Sequence, residues 1–119
     1  MKTQNKSQLE SKITEAVIKF EREYMGRGPF RTRTYLVEDM VIVRLEGVLT
    51  PAEQHLAKEL SGVKLIKEVR MNLIQGARTM LCSTVEELVG RNVISMHSDI
   101  SATRGERVIV FTLQPEKEK

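Results

Sequence analysis

The 119-residue chain has no tryptophan, only 4% aromatic residues and a single cysteine. With so few rings, a core must be built from Leu, Ile, Val and Met. One cysteine excludes an internal disulfide, and Cys82, set in a helical pattern, reads as a small hydrophobe. No apolar run approaches the roughly 20 residues of a membrane span. The opening Met1-Lys2-Thr3-Gln4-Asn5-Lys6 leads into charged amphipathic sequence, not the apolar core of a signal peptide. A cytoplasmic location is therefore the expectation, with any membrane role peripheral or through a partner. A strong surplus of one charge sign is also missing. Nineteen basic and 16 acidic residues leave a net charge of +3, and they are interspersed, which argues against direct nucleic-acid binding.

What is present is an ordinary globular balance, 40% hydrophobic and 29% charged. The length fits one domain over 1–119, with residues 1–6 and 115–119 read as flexible tails. Ser7-Gln8-Leu9-Glu10 has the form of a capping box. Leu9, Ile13, Val17, Phe20 and Tyr24 then recur at helical spacing. Gly26 is placed to end that helix, and Pro29 forbids its continuation. Arg31 to Val37 and Met40 to Glu46 read as strands joined by a two-residue turn, Glu38-Asp39, that lacks the favoured glycine. Val41, Val43 and Leu45 fall on one strand face.

Thr50-Pro51-Ala52-Glu53 is the sharpest local signal: a Thr N-cap, Pro at the first helical position and Glu closing the box. The helix it starts is expected to reach about Leu60, with a break at Ser61-Gly62. A long helical pattern then runs from Val63 to Val89. Ile66, Val69, Leu73, Ala77, Met80 (with Leu81), Val85 and Leu88 are expected toward the core, with Gly76 either a close-packing point or a weak one. Gly90 is a stop. Val93 to Ile100 and Arg107 to Leu113 form a second strand pair, with Ile94 and Met96 on one face of the first strand and Ile109, Phe111 and Leu113 on one face of the second. The predicted class is α+β, in the order α-ββ-αα-ββ: a four-stranded antiparallel sheet from two hairpins, with three helical segments on one face. A sheet of this kind leaves its other face or its edges open, and a homodimer is a natural remedy.

Candidate chemistry is sparse. Arg27, Arg31 and Arg33 lie about Gly26 and Gly28, where glycine backbone and Arg forks suit a small anion. The run lacks the spacing and the Lys-Ser/Thr of a phosphate loop. A helix C-cap followed by solvated strand arginines explains the same residues without a ligand, and is favoured. Glu46 and Glu53 flank Gly47-Val48-Leu49-Thr50-Pro51; capping accounts for Glu53, and Glu46 has Arg44 or Arg70 as possible partners. His55, His97, Asp99 and Cys82 make no recognised metal-ligand spacing, so neither a metal nor a cofactor is expected. His97 and Asp99 do share a strand face, and an enzyme pairing one of them with Glu46 is the reading that a distance would test. Met71, Met80 and Met96 read as core. No nucleophile–base arrangement is present, so the chain is not expected to be an enzyme.

Several runs together resemble a known family: Tyr24-Met25-Gly26-Arg27-Gly28-Pro29, then Arg33-Thr34-Tyr35, then Val41 through Leu45 with Glu46-Gly47-Val48-Leu49-Thr50-Pro51-Ala52-Glu53, and later Val85-Glu86-Glu87-Leu88-Val89-Gly90-Arg91. They are similar to an MpsC-like bacterial domain family of unknown function, associated with the C component of a sodium-translocating, membrane-potential-generating system. The likeness spans about residues 7–115. It implies an accessory role in cation translocation, as a soluble partner of a membrane component, and carries no catalytic assignment. It marks Arg27, Arg33, Glu46, Thr50 and Glu53 as motif positions. Gly26, Pro29, Gly47 and Pro51 in the same runs are read as structural.

Overall fold

A computed structural model describes residues 5–116. The elements are α1 (Lys6–Tyr24), β1 (Arg31–Val37), β2 (Met40–Glu46), α2 (Pro51–Leu56), α3 (Leu60–Gly76), α4 (Arg78–Val89), β3 (Val93–Ser101) and β4 (Glu106–Leu113). Of the expected tails, residues 1–4 and 117–119 lie outside the described residues. Asn5, by contrast, is the N-cap of α1, exchanging hydrogen bonds with Gln8. The box expected at Ser7 is displaced because Glu10 is engaged elsewhere, accepting from the Leu36 amide of β1 at 2.8 Å.

The four strands form one antiparallel sheet in the order β1-β2-β4-β3. Both hairpins pair as their alternation predicts, and the seam between them joins β2 to β4. Helices α1, α3 and α4 pack on one side, α1 over β1, α3 and α4 over β3, with α1 also against α4. This is the expected two-layer α+β domain, with four helices in place of three helical segments. The core lies between the layers. Val41, Val43, Leu45, Ile109, Phe111 and Leu113 point into it from the sheet, and Ile13, Val17, Ile66, Ile74, Leu81 and Val85 from the helices.

Several expectations are corrected. The helix begun at Thr50 stops at Leu56 and not near Leu60. Ser61-Gly62 is not a break but the first turn of α3: a Cβ at Gly62 would overlap the Leu56 carbonyl oxygen, so glycine lets the chain double back tightly there. The long helical pattern divides at Ala77, whose φ of −99° and ψ of 6° leave helical geometry. Finally, Val69, Leu73 and Met80 are exposed, and the buried line is Ile66, Arg70, Ile74, Ala77, Leu81 and Val85. Ile66, Ala77, Leu81 and Val85 face the core as expected; the stripe shifts by one only at 69 and 73, to Arg70 and Ile74, with a guanidinium in a core slot. Leu88 and Met71 are half-buried, as is Cys82. On β3, Met96 is buried but Ile94 is exposed, because an irregularity between Val93 and Ser95 shifts the register. Gly90 ends α4 as expected.

Candidate functional site

The two motif runs meet in space. After α1, Gly26 takes a left-handed φ of 92° and turns the chain toward β1. Phe30, just past Pro29, donates its amide to the Glu46 carbonyl at 2.7 Å. Gly47 lies against Phe30 so closely that a Cβ would overlap it, and its φ of 70° disfavours any other residue. From Gly47 the chain dips inward: Val48 and Leu49 are buried, and the Val48 amide donates to Gly105. Thr50 then caps α2 in the box that the sequence predicts, its hydroxyl accepting from Glu53 and its amide donating to the Glu53 carboxylate.

Beneath this loop lies a hub of four charged side chains. Arg70 of α3, only 3% exposed, places Nε at 3.1 Å and Nη2 at 2.6 Å from the Glu53 carboxylate, and Nη2 also donates to the Val48 carbonyl at 2.9 Å. The sequence offers Glu46 as a partner for Arg70; the two-pronged partner is Glu53. Glu21 of α1 and Arg107 of β4 are both fully buried, and Glu21 lies within Coulombic reach of Arg107 and Arg70. Arg107 sits on the core face of β4, flanked in register by Leu45 and Ile100. The Glu21 carboxylate oxygens and the Arg107 guanidinium nitrogens have no hydrogen-bond partner among the described residues.

Burial governs the titration here. It pushes the Glu21 carboxyl up, against the pull of Arg107 and Arg70. It also lowers Arg107, against the opposite pull of Glu21. For Glu53, burial again raises, but hydrogen bonds from Arg70 and from Thr50 outweigh it and hold the carboxyl below its usual range. Two acids and two bases balance in formal charge, and the bonds of Arg70 tie α3 to Glu53 and to the Val48 carbonyl.

The predicted anion residues are distributed differently. Arg27 is half-buried in the turn, its amide bonded to the Glu21 carbonyl at 3.2 Å. Gly28 lies under the Arg22 side chain, where a Cβ would stand 3.6 Å from the guanidinium. Arg31 faces Glu46 at 3.7 Å, and Glu46 also meets Arg44 at 3.3 Å, as the sequence suggests. Arg33 has no ion-pair partner among the described residues, and Arg44 stands opposite it in register. His97 is on the open side of β3, its Nε2 3.1 Å from the Ser95 hydroxyl. Glu46 and His97 are two strands and several residues apart, roughly 16 Å by sheet geometry. They share no cleft, which removes that pairing. No metal-ligand cluster occurs among the described residues.

The open side of the sheet has a definite order. Reading β1-β2-β4-β3 across, the rungs are Arg31-Glu46-Glu106-Ser101, Arg33-Arg44-Val108-Asp99, Tyr35-Ile42-Val110-His97 and Val37-Met40-Thr112-Ser95. Two rungs are charged and two are apolar or hydroxyl-bearing. No helix among the described residues covers this side.

Sequence reading missed Glu21 and Arg107 and misplaced Arg70. A signal exists for each: Glu21 follows the buried Phe20, Arg70 lies midway between Ile66 and Ile74, and Arg107 alternates with Ile109, Phe111 and Leu113. What the sequence hides is that these three charges, distant along the chain, come within Coulombic reach of one another.

A family model described as "Na+-translocating membrane potential-generating system (MpsC)" matches residues 5–115. Uncharacterized protein YbcI of Bacillus subtilis (strain 168) is 36% identical over 115 residues, covering 97% of this chain and 93% of its own. Uncharacterized protein YrhF of the same organism is 31% identical over 100 residues, covering 83% and 82%. No solved structure matches.

Proposed function

The chain belongs to the MpsC family, and on that premise we propose that it is a non-catalytic interaction domain. In this reading it is a cytoplasmic homodimer that serves as accessory partner to the membrane component of a bacterial cation-translocating system. No helix among the described residues is long and apolar enough to cross a membrane, so ion passage belongs to the partner. The observation that supports contact over catalysis is the uncovered side of the sheet, where Tyr35, Ile42 and Val110 stand in one rung. In the hub, by contrast, Glu21, Arg70 and Arg107 are buried and Arg70 is turned onto Glu53. In-cell crosslinking followed by purification tests this. A membrane transport subunit should come down with the wild-type chain and be lost with Ile42→Asp. Recovery of no membrane protein would count against the partner role.

A second reading is supported by Arg33, which has no ion pair among the described residues and stands opposite Arg44. It takes the Gly-Arg turn, with Arg27, Arg31 and Arg33, as a site for a small phosphate or carboxylate. A thermal-shift screen of such anions should then find a stabilising ligand whose effect disappears in Arg27→Ala. A screen without any shift removes this reading.

A further inference from the structure

We propose that the cleft between α2 and the β3–β4 turn binds a small phosphorylated molecule, with Lys58 and Arg104 holding the phosphate from the two walls. The cleft shares no residue with the Arg27, Arg31 and Arg33 set or with the rungs of the open sheet side. The inference therefore rests on neither reading above.

The cleft has a volume of about 670 Å³, within the range of small-molecule sites. One wall is α2 and the turn after it, with Gln54, His55 and Lys58. The other is the hairpin turn, with Thr103, Arg104 and Gly105. Leu49 and Ala102 line it as buried apolar residues. The Val48 amide donates to the Gly105 carbonyl at 3.1 Å, and the Leu49 side chain would stand 3.7 Å from a Cβ added at Gly105. That join ties the two walls together, so the cleft is in place before anything enters it.

The charge lining the cleft is of one sign. Lys58 and Arg104 are exposed, and neither enters an ion pair among the described residues. No carboxylate lines the cleft. The acids that adjoin it in sequence are engaged or outside: Glu53 accepts from Arg70 and Thr50, Glu106 pairs with Arg44 at 2.6 Å, and Glu59 is not in the lining. Other clefts mix the signs. The one at Arg91 also has Glu86 and Glu116, the one at Arg33 has Glu10 and Glu15, and the one at Lys67 has Asp99 and Glu106. Unmatched cations lining a cleft raise the local concentration of anions.

The donor set suits a phosphate. Arg offers a planar two-pronged pair of N–H groups, and Lys a compact charge on a flexible stem. His55 adds a ring nitrogen to the α2 wall, one turn before Lys58, whose amide donates to the His55 carbonyl at 3.3 Å. Leu49, Ala57 and Ala102 offer aliphatic contact to the rest of the ligand. No Phe or Tyr lines the cleft, so it has no platform on which a base could stack. A phosphate ester of a sugar or a short aliphatic alcohol is thereby favoured over a nucleotide.

Isothermal titration calorimetry of the full chain at low salt tests this with inorganic phosphate, glycerol phosphate and a hexose phosphate. At least one ester should bind saturably at or below about 1 mM, and more tightly than inorganic phosphate. Lys58→Ala and Arg104→Ala, both at exposed positions, should leave circular dichroism unchanged. Each should weaken binding about tenfold, the size of one lost charge-assisted hydrogen bond. Lys58→Arg should retain binding, and Arg33→Ala should bind as the wild type does. The bound ester should also slow amide exchange in α2, which forms one wall. No saturation by any of the three compounds up to about 10 mM overturns the site, as does an affinity unmoved in Lys58→Ala and Arg104→Ala. Binding that disappears in Arg33→Ala or Arg27→Ala but survives in the other two variants overturns it as well, and places the anion at the Gly-Arg turn.

Discussion

Glu53 and Glu21 belong to one hub yet answer acid with opposite signs. The Glu53 carboxyl lies below its ordinary value when folded. The stability it contributes is complete above the unfolded value, about 4.3, and is lost as pH falls through the folded one. The Glu21 carboxyl is raised, first by burial. Its contribution is greatest below about pH 4.3 and is lost as pH rises through the folded value. Urea unfolding from pH 3 to 7 should separate them. Glu53→Gln should cost about 2 kcal/mol at pH 7, since two charge-assisted bonds from Arg70 weaken, and should flatten the acid limb. Glu21→Gln should remove the loss on the alkaline side of that window. An unaltered acid limb in Glu53→Gln would show that Arg70 does not hold that carboxylate in solution.

At the scale of elements, two glycines of α3 should respond oppositely to the same change. Gly62 is closed in by the Leu56 carbonyl, so Gly62→Ala forces α2 and α3 apart and should cost about 2 kcal/mol. Gly76 has only the Tyr24 hydroxyl nearby, 3.8 Å from a would-be Cβ, so Gly76→Ala fits and should gain about 0.5–1 kcal/mol. Thermal melts of the two variants check this, and equal signs would refute the packing described. Gly76 is thus the weak point, not the close-packing point, that the sequence leaves open. Local signals were legible where one element contains its own reason. The 40–46 strand alternates, and Thr50 to Glu53 contains both halves of its cap. Legibility failed where the reason lies elsewhere in the chain. Val69 and Leu73 flank Arg70 and look like the better core residues, yet Arg70 is buried because Glu53 and the Val48 carbonyl await it. Ile94 is turned outward by an irregularity in pairing that no periodicity announces.

For the whole molecule, order should be graded from the seam outward. Val41, Val43 and Leu45 of β2 and Ile109 and Phe111 of β4 are wholly enclosed, whereas α2 contains no buried residue. Amide hydrogen exchange should therefore be slowest across β2 and β4, and should report α2 opening by a smaller excursion than global unfolding. Equal protection in α2 and the seam would contradict this ordering. The same seam has a consequence during synthesis. Its first half is complete when residue 46 is made, but the strand that pairs beside it ends at Leu113. At bacterial translation speeds the nascent β2 waits roughly 3–14 s, plus transit of the exit tunnel, with one ribbon edge and its valines unclaimed. In that interval a chaperone at the ribosome exit has a clear reason to bind, and only the last strand to emerge ends its hold.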